Sequence, residues 1–272
     1  MADELRVMWD FSDLPATEAR LRDRLASAIG DAERAEVLTQ LARVEGLRGD
    51  TVAGQQMLAE AEALAAPDSP GRVRVFLERG RLLRSAGAPE EALPLFVAAF
   101  VLASHLGETF LAVDAAHMAA LVDNVDDWTG RGVELASSSD DPQVRGWIGA
   151  LFNNLGWARF EAGRFEEALA AFRSALAARE ETSDDVHEVE VARYAVARTL
   201  RALGQPAEAA GLMGRAIAAS PPDGWFHEEL AEDYAALGWR NEASDQARRA
   251  LDLLDAHQAP DRVARLRELA NA

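Results

Sequence analysis

Arginine is the residue type with the most evident capacity for chemistry in this chain. All 28 basic residues of the 272 are arginine, against 46 Asp plus Glu, for a formal charge of −18. A guanidinium fork matches a carboxylate bidentately and is not readily deprotonated. Two pairs, Arg81 with Arg84 and Arg198 with Arg201, have the spacing of three that puts both members on one face of a helix. The absence of lysine and cysteine removes Schiff-base, thiolate and P-loop-lysine chemistry, Cys-ligated zinc and disulfides. Asp123, Asp127 and Glu134 stand at places one, five and twelve of a calcium loop. Val125 and Trp128 fill the places that need an oxygen ligand and a glycine, so solvated acids on a turn are the better reading. The five histidines, at 105, 117, 187, 227 and 257, form no HExxH pair. No nucleophile elbow or glycine-rich phosphate loop occurs. The expectation is a protein without catalysis, cofactor or metal.

The elements that must position these side chains are helical. At 49% hydrophobic and 27% charged residues the chain is of globular composition. Its longer apolar runs are rich in alanine and leucine with helical periodicity, so no strand is expected. The acidic balance repels phosphate backbones and anionic headgroups, which argues against nucleic acid and membrane surfaces. The first residues lack the apolar run of a signal peptide, and Leu93 to Ser104, the most apolar stretch, is shorter than a membrane span. The expected location is cytoplasmic. A capping helix is predicted from Pro15 to Ala28, stopping at Gly30. The preceding MWDF cluster should tuck against the first hairpin, and a last helix should run from Pro260 to Ala270 with Val263, Leu266 and Leu269 inward. Loops are expected at Pro67 to Gly71, Ser137 to Pro142, Thr182 to Asp185 and Ser220 to Gly224.

Between these ends the chain repeats itself. In Phe152 to Ala177, Leu155 and Gly156 form a pair, Gly163 marks a turn, and Ala168, Phe172 and Ala175 follow. Gly80, Gly87, Ala92, Phe96 and Ala99 keep the same offsets. Further copies centre on Gly204 and Gly238, and degenerate ones on Gly49 and Asn124. The pattern resembles the tetratricopeptide repeat. The turns are spaced 34 to 41 residues apart, mostly longer than the family's ~34, as in bacterial regulatory and kinesin-light-chain-like repeat proteins. The resemblance implies an all-α, tetratricopeptide-like solenoid of helical hairpins in a right-handed superhelix, with about six repeats and capping helices. The expected organisation is a single elongated domain over 1–272: an N-terminal segment and cap at 1–30, repeats at 31–257, and a C-terminal cap at 258–272. A turn glycine supplies positive φ, and alanine or glycine lets paired helices approach.

The resemblance also implies a concave groove lined by the first helix of each hairpin, at positions ten, nine, six and three before the turn. These are Leu77, Glu78, Arg81 and Arg84; Asp114, Ala115, Met118 and Leu121; Asn153, Asn154, Trp157 and Phe160; and Tyr194, Ala195, Arg198 and Arg201. Glu228, Glu229 and Glu232 make the last inner face acidic. Arg81, Arg84, Asp114, Asn153, Asn154, Trp157, Tyr194, Arg198 and Arg201 are therefore the candidate peptide-binding residues. Guanidinium forks would take carboxylates, amides the backbone and rings an apolar side chain. Two structural readings stand beside this one: Arg81 could pair with Asp114, and Trp157 and Phe160 could be core. Asn154 occupies the place of one asparagine in the family's carboxylate clamp, but lysine is absent and Ala195 stands where a polar group is needed, so the clamp is not carried over. The function expected is a non-enzymatic scaffold or adaptor that binds another protein, or a carboxylate-bearing peptide segment of it. The alternative is a sensor for a small signalling peptide or metabolite.

Overall fold

In the computed structural model the described residues are 4–254 and 259–271. Among them the regular structure is all helical. A cap, α1 (Leu14–Ser27), precedes three hairpins: α2 (Asp31–Arg48) with α3 (Thr51–Leu64), α4 (Pro70–Ser85) with α5 (Pro89–Leu106), and α6 (Thr109–Ala120) with α7 (Val125–Ser137). A single turn, α8 (Pro142–Arg145), leads to α9 (Trp147–Glu161) with α10 (Phe165–Thr182), α11 (Val186–Ala202) with α12 (Pro206–Ala219), α13 (Gly224–Ala236) with α14 (Arg240–Leu253), and the terminal α15 (Pro260–Ala270). This is the six-hairpin, two-cap solenoid fold that the repeats imply. Both caps lie within a residue of their predicted bounds, and Val263, Leu266 and Leu269 are buried. The boundary at 257, and His257, lie outside the described residues.

Local chemistry sets each element. Asp13, Asp50, Ser69, Asn124, Asp141, Asp185 and Asp223 each accept a backbone N–H at a helix start. The turn positions at Gly49, Gly87, Gly163, Gly204 and Gly238 all have φ between 73 and 83°, and Asn124 has φ of 37°. Close approach explains the glycines inside helices. A Cβ on Gly80 would lie 2.5 Å from the Phe96 ring, and one on Gly156 would lie 2.5 Å from Phe172. The repeated Gly–Phe offset is therefore a packing motif: glycine on the first helix opens the slot that phenylalanine on the second fills.

The chain divides into two compact units, Met1–Trp147 and Ile148–Ala272. In the first, Phe96, Ala99, Leu111, Ala115 and Trp128 share one core, and Leu5, Leu21, Val37 and Leu41 form a second beneath the N-terminal cap. In the second, Phe172, Leu200, Met213 and Phe226 form the main core, and Leu266 and Leu269 dock α15 on α13 and α14. The helix α5 corrects one expectation: its 18 residues are long and apolar enough, by length and composition, to cross a membrane. Here its Ala92, Phe96, Ala99 and Ala103 are buried against neighbouring helices.

Candidate functional site

In the first unit the first helices α2, α4 and α6 lie side by side. Arg81 of α4 donates to Glu78 one turn back and to Asp114 Oδ1 of α6 at 2.5 Å. Glu78 and Asp114 are each 3% exposed. Burial alone would weaken the guanidinium, yet the two carboxylates hold Arg81 above its ordinary value. In return Arg81 and Arg43 bring Asp114 below the usual carboxylate range, against the effect of burial. Nearby, burial pushes His117 down to about 4, so its imidazole is neutral at physiological pH. Arg81 and Asp114 thus form the ion pair foreseen as the structural reading.

Two other arginines differ from Arg81. Arg84, one turn on, is exposed, and no carboxylate among the described residues pairs with it. Arg43 of α2 is half-buried and likewise has no ion-pair partner among them. Its guanidinium lies 5.1 Å from the Trp9 ring and 5.4 Å from Phe11. Burial and then repulsion by Arg81 lower its pKa, with Glu78 and Asp114 opposing. Arg43, Arg81 and Arg84 line a cavity of about 210 Å³ together with Glu78, Leu47 and Met118. A second cavity of about 180 Å³ shares Arg43 and Glu78 with the first and is walled by Trp9, Phe110 and Trp147. The Oε2 atom of Glu78 is buried with no hydrogen-bond partner.

In the second unit the candidates mostly serve the fold. Trp157 and Phe160 pack at 5.5 Å from one another and against the core, with Trp157 4.9 Å from Phe172. Asn153 and Asn154 are half-buried on α9, and Asn153 lines a cavity of about 250 Å³ beside Arg179 and Glu188. Arg198 donates to the Tyr194 hydroxyl at 2.9 Å. Arg201 makes a bidentate pair with Glu229, at 2.6 and 3.1 Å, and lies 3.6 Å from Asp233. Glu229 is 1% exposed. The acidic inner face of α13 is neutralised: Arg262 of α15 pairs with Glu228 and bonds Tyr194, while Arg265 pairs with Glu232 at 3.0 Å. Asp233 is fully buried, and burial together with Glu229 pushes its carboxyl up to about 8 despite Arg201.

Of the nine sequence-derived residues, Arg81 meets Asp114 in the first unit, and Tyr194 and Arg198 meet in the second. Arg84 stands open, while Arg201 is turned to α13. Arg43 was missed, although the same count locates it six places before Gly49, where Arg81 stands before Gly87. Among the described residues no group of three or more His, Cys, Asp or Glu could hold a metal. Asn124 instead caps Asp127 within the former calcium-loop candidate.

The tetratricopeptide repeat family model matches residues 147–221. No curated protein matches the chain. Among solved structures, a tetratricopeptide repeat protein from Parabacteroides merdae is 15% identical with a TM-score of 0.55, covering 99% of this chain and 96% of its own. BtubC (BKLC) from P. vanneervenii is 14% identical with a TM-score of 0.59, covering 81% and 95%. The APC/C hetero-tetramer Cut9-Hcn1 gives 14% and 0.58 over 93% of this chain, which spans 48% of the length of that one. At these identities the likeness is one of fold.

Proposed function

We propose, this being a tetratricopeptide-repeat protein, that the chain is a non-enzymatic scaffold whose first helices bind an extended segment of a partner protein, with a carboxylate of that segment taken by Arg43 and Arg84. The observation that carries this reading is the cavity between Arg43, Arg81 and Arg84. Two of its three guanidinia have no ion-pair partner among the described residues, in a chain of net charge −18. A guanidinium without a carboxylate keeps its bidentate donors for a ligand. Arg81 frames the cavity without spending its donors there, and Met118 and Leu47 offer apolar contact beside the charge. Trp157, Tyr194, Arg198 and Arg201 belong to packing and ion pairs. Asn153 and Asn154 are kept as secondary candidates for backbone contacts.

The test is capture of fluorescent acidic peptides by the full chain, wild type against Arg43→Ala with Arg84→Ala. Binding should fall about tenfold or more in the double variant and should weaken with salt. Equal binding at low salt would overturn the reading. The same proposal treats 1–272 as a single domain acting in the cytoplasm. Limited proteolysis that released a stably folded half cut between Ser137 and Ile148 would divide that domain, and fractionation of cells tests the location.

A further inference from the structure

The segment from Arg6 to Phe11 lies against the first helices of the first unit through side chains. Arg6 stacks its guanidinium 3.9 Å from the Phe110 ring of α6 and donates to Asp141 at 2.8 Å and Gln143 at 3.1 Å. Trp9 donates its indole N–H to Gln40 of α2 at 2.9 Å. Phe11 stacks on Trp9 at 5.0 Å, and both rings lie beside Arg43. Among the described residues the segment's backbone bonds run within it or to α1: Met8 and Trp9 bond back to Leu5 and Arg6, Arg20 reaches the Met8 carbonyl, and Thr17 bonds Asp10.

We propose that this face is a peptide subsite for a short segment that carries an arginine in a single helical turn and, three and five residues later, two aromatic rings, and that the chain's own residues 6–11 occupy it in cis. The proposal rests on the reading of the first helices as a binding face and adds the chemistry of a second ligand class and its regulation. Three observations carry it. The contacts are of the kind that dominates binding interfaces: a stacked arginine and a ring with one polar handle. The packing is incomplete, since about 180 Å³ remains between the segment and the helices, and Glu78, whose buried Oε2 has no hydrogen-bond partner, is among the residues that line it. A core element would fill such space. Finally, Met8 and Trp9 are only partly buried against the N-terminal core that holds Leu5, while Val7 and Phe11 are 74% and 62% exposed. The residues after Leu5 are therefore held at the edge of that core and not within it. Because Arg43 lines both cavities, occupancy by Trp9 and Phe11 also governs the guanidinium offered to a carboxylate.

A tethered segment competes at an effective concentration of the order of millimolar. The experiment uses a labelled synthetic peptide of residues 4–13, ELRVMWDFSD, with the full chain as wild type and as Arg6→Ala with Trp9→Ala, which keeps Leu5. The peptide should bind the double variant at least about tenfold tighter than wild type, and a peptide carrying Trp9→Ala should not. A folded double variant that binds no tighter than wild type overturns the proposal. If the double variant does not fold, the single Trp9→Ala chain takes its place under the same criterion, and failure of both to fold in saturating peptide marks the segment as core and also overturns it. Acidic-peptide capture is measured on the same proteins. Loss of that capture with the 4–13 peptide still bound sinks only the carboxylate reading, and the reverse sinks only this one.

Discussion

Both units bury an arginine of one first helix against carboxylates of the next, Arg81 with Asp114 and Arg201 with Glu229, and there the likeness stops. The first unit leaves Arg43 and Arg84 without acidic partners among the described residues. The second covers two further acids of α13, Glu228 and Glu232, with Arg262 and Arg265 of α15. A position on the inner face of a hairpin is thus insufficient to make a residue available. What the neighbouring first helix offers at the same height decides whether an arginine is structural or open to a ligand.

The largest expected effect is at the carboxylates. Replacing Asp114 with Ala leaves Arg81 desolvated beside Glu78 alone, and removing one partner of a buried pair costs about 3–5 kcal/mol. Glu229→Ala should cost less, because Arg201 is about a quarter exposed and can turn to Asp233. Urea denaturation of both variants measures the difference. A loss below about 1 kcal/mol at Asp114, as for a solvated surface pair, would return Arg81 to the list of available arginines.

The glycine slots should respond alike in both units, and so serve as the control for the contrast at the arginines. Gly80→Ala and Gly156→Ala each force a methyl into a phenylalanine ring at 2.5 Å, an overpacking that costs about 1–3 kcal/mol. A melting-temperature loss confined to one of them would mean that the repeat packing differs between the units.

The fold was legible because its determinants are local. Turn glycines, the Gly–Phe offset and the proline-started caps each act within one hairpin, so their spacing survives in the sequence. The site was legible only in part. Arg81, Arg198 and Arg201 carry the right chemistry at the right positions, but their partners lie 28 to 33 residues away on a different helix, and spacing within one helix says nothing of that alignment. The possible Arg81–Asp114 contact could be named because both occupy counted positions. Asp233 could not, since it lies off the counted face. Arg43 obeys the same offset, six places before Gly49, within the degenerate first repeat where the pattern is weakest. The MWDF cluster has no periodicity, so nothing in the sequence shows that Trp9 and Phe11 flank an arginine.

A pH series sharpens the contrast from the side of the second unit. Below about pH 4 Asp233 is protonated in both the folded and unfolded chain. Between its ordinary 3.8 and the raised value of about 8 only the folded state keeps the proton, so this group lowers stability as pH rises through that window and adds no slope above it. Asp233→Asn should remove this slope and raise stability at pH 8 by at least about 1 kcal/mol, the scale of an unpaired buried polar group. Parallel pH profiles for variant and wild type would show instead that Arg201 compensates Asp233 fully.

The smallest effect on stability is expected where binding should change most. Arg84 is exposed and unpaired among the described residues, so Arg84→Ala should shift stability by less than about 0.5 kcal/mol. Arg201→Ala, by contrast, leaves the buried Glu229 beside Asp233 with only the longer Arg198 contact at 3.7 Å, and should destabilise measurably, by about 1–3 kcal/mol. The order reverses for acidic-peptide capture, because of these two residues Arg84 alone presents its donors to a ligand. Added salt separates the two residues further. An exposed guanidinium is screened over a Debye length of about 8 Å at physiological ionic strength, whereas the half-buried Arg201 pair is screened much less. Wild-type capture should therefore fall with salt, and Arg84→Ala should flatten that dependence. If Arg201→Ala flattens it equally while the protein stays folded, the second unit also contributes charge to the ligand, and the division between a structural and an available set of arginines fails.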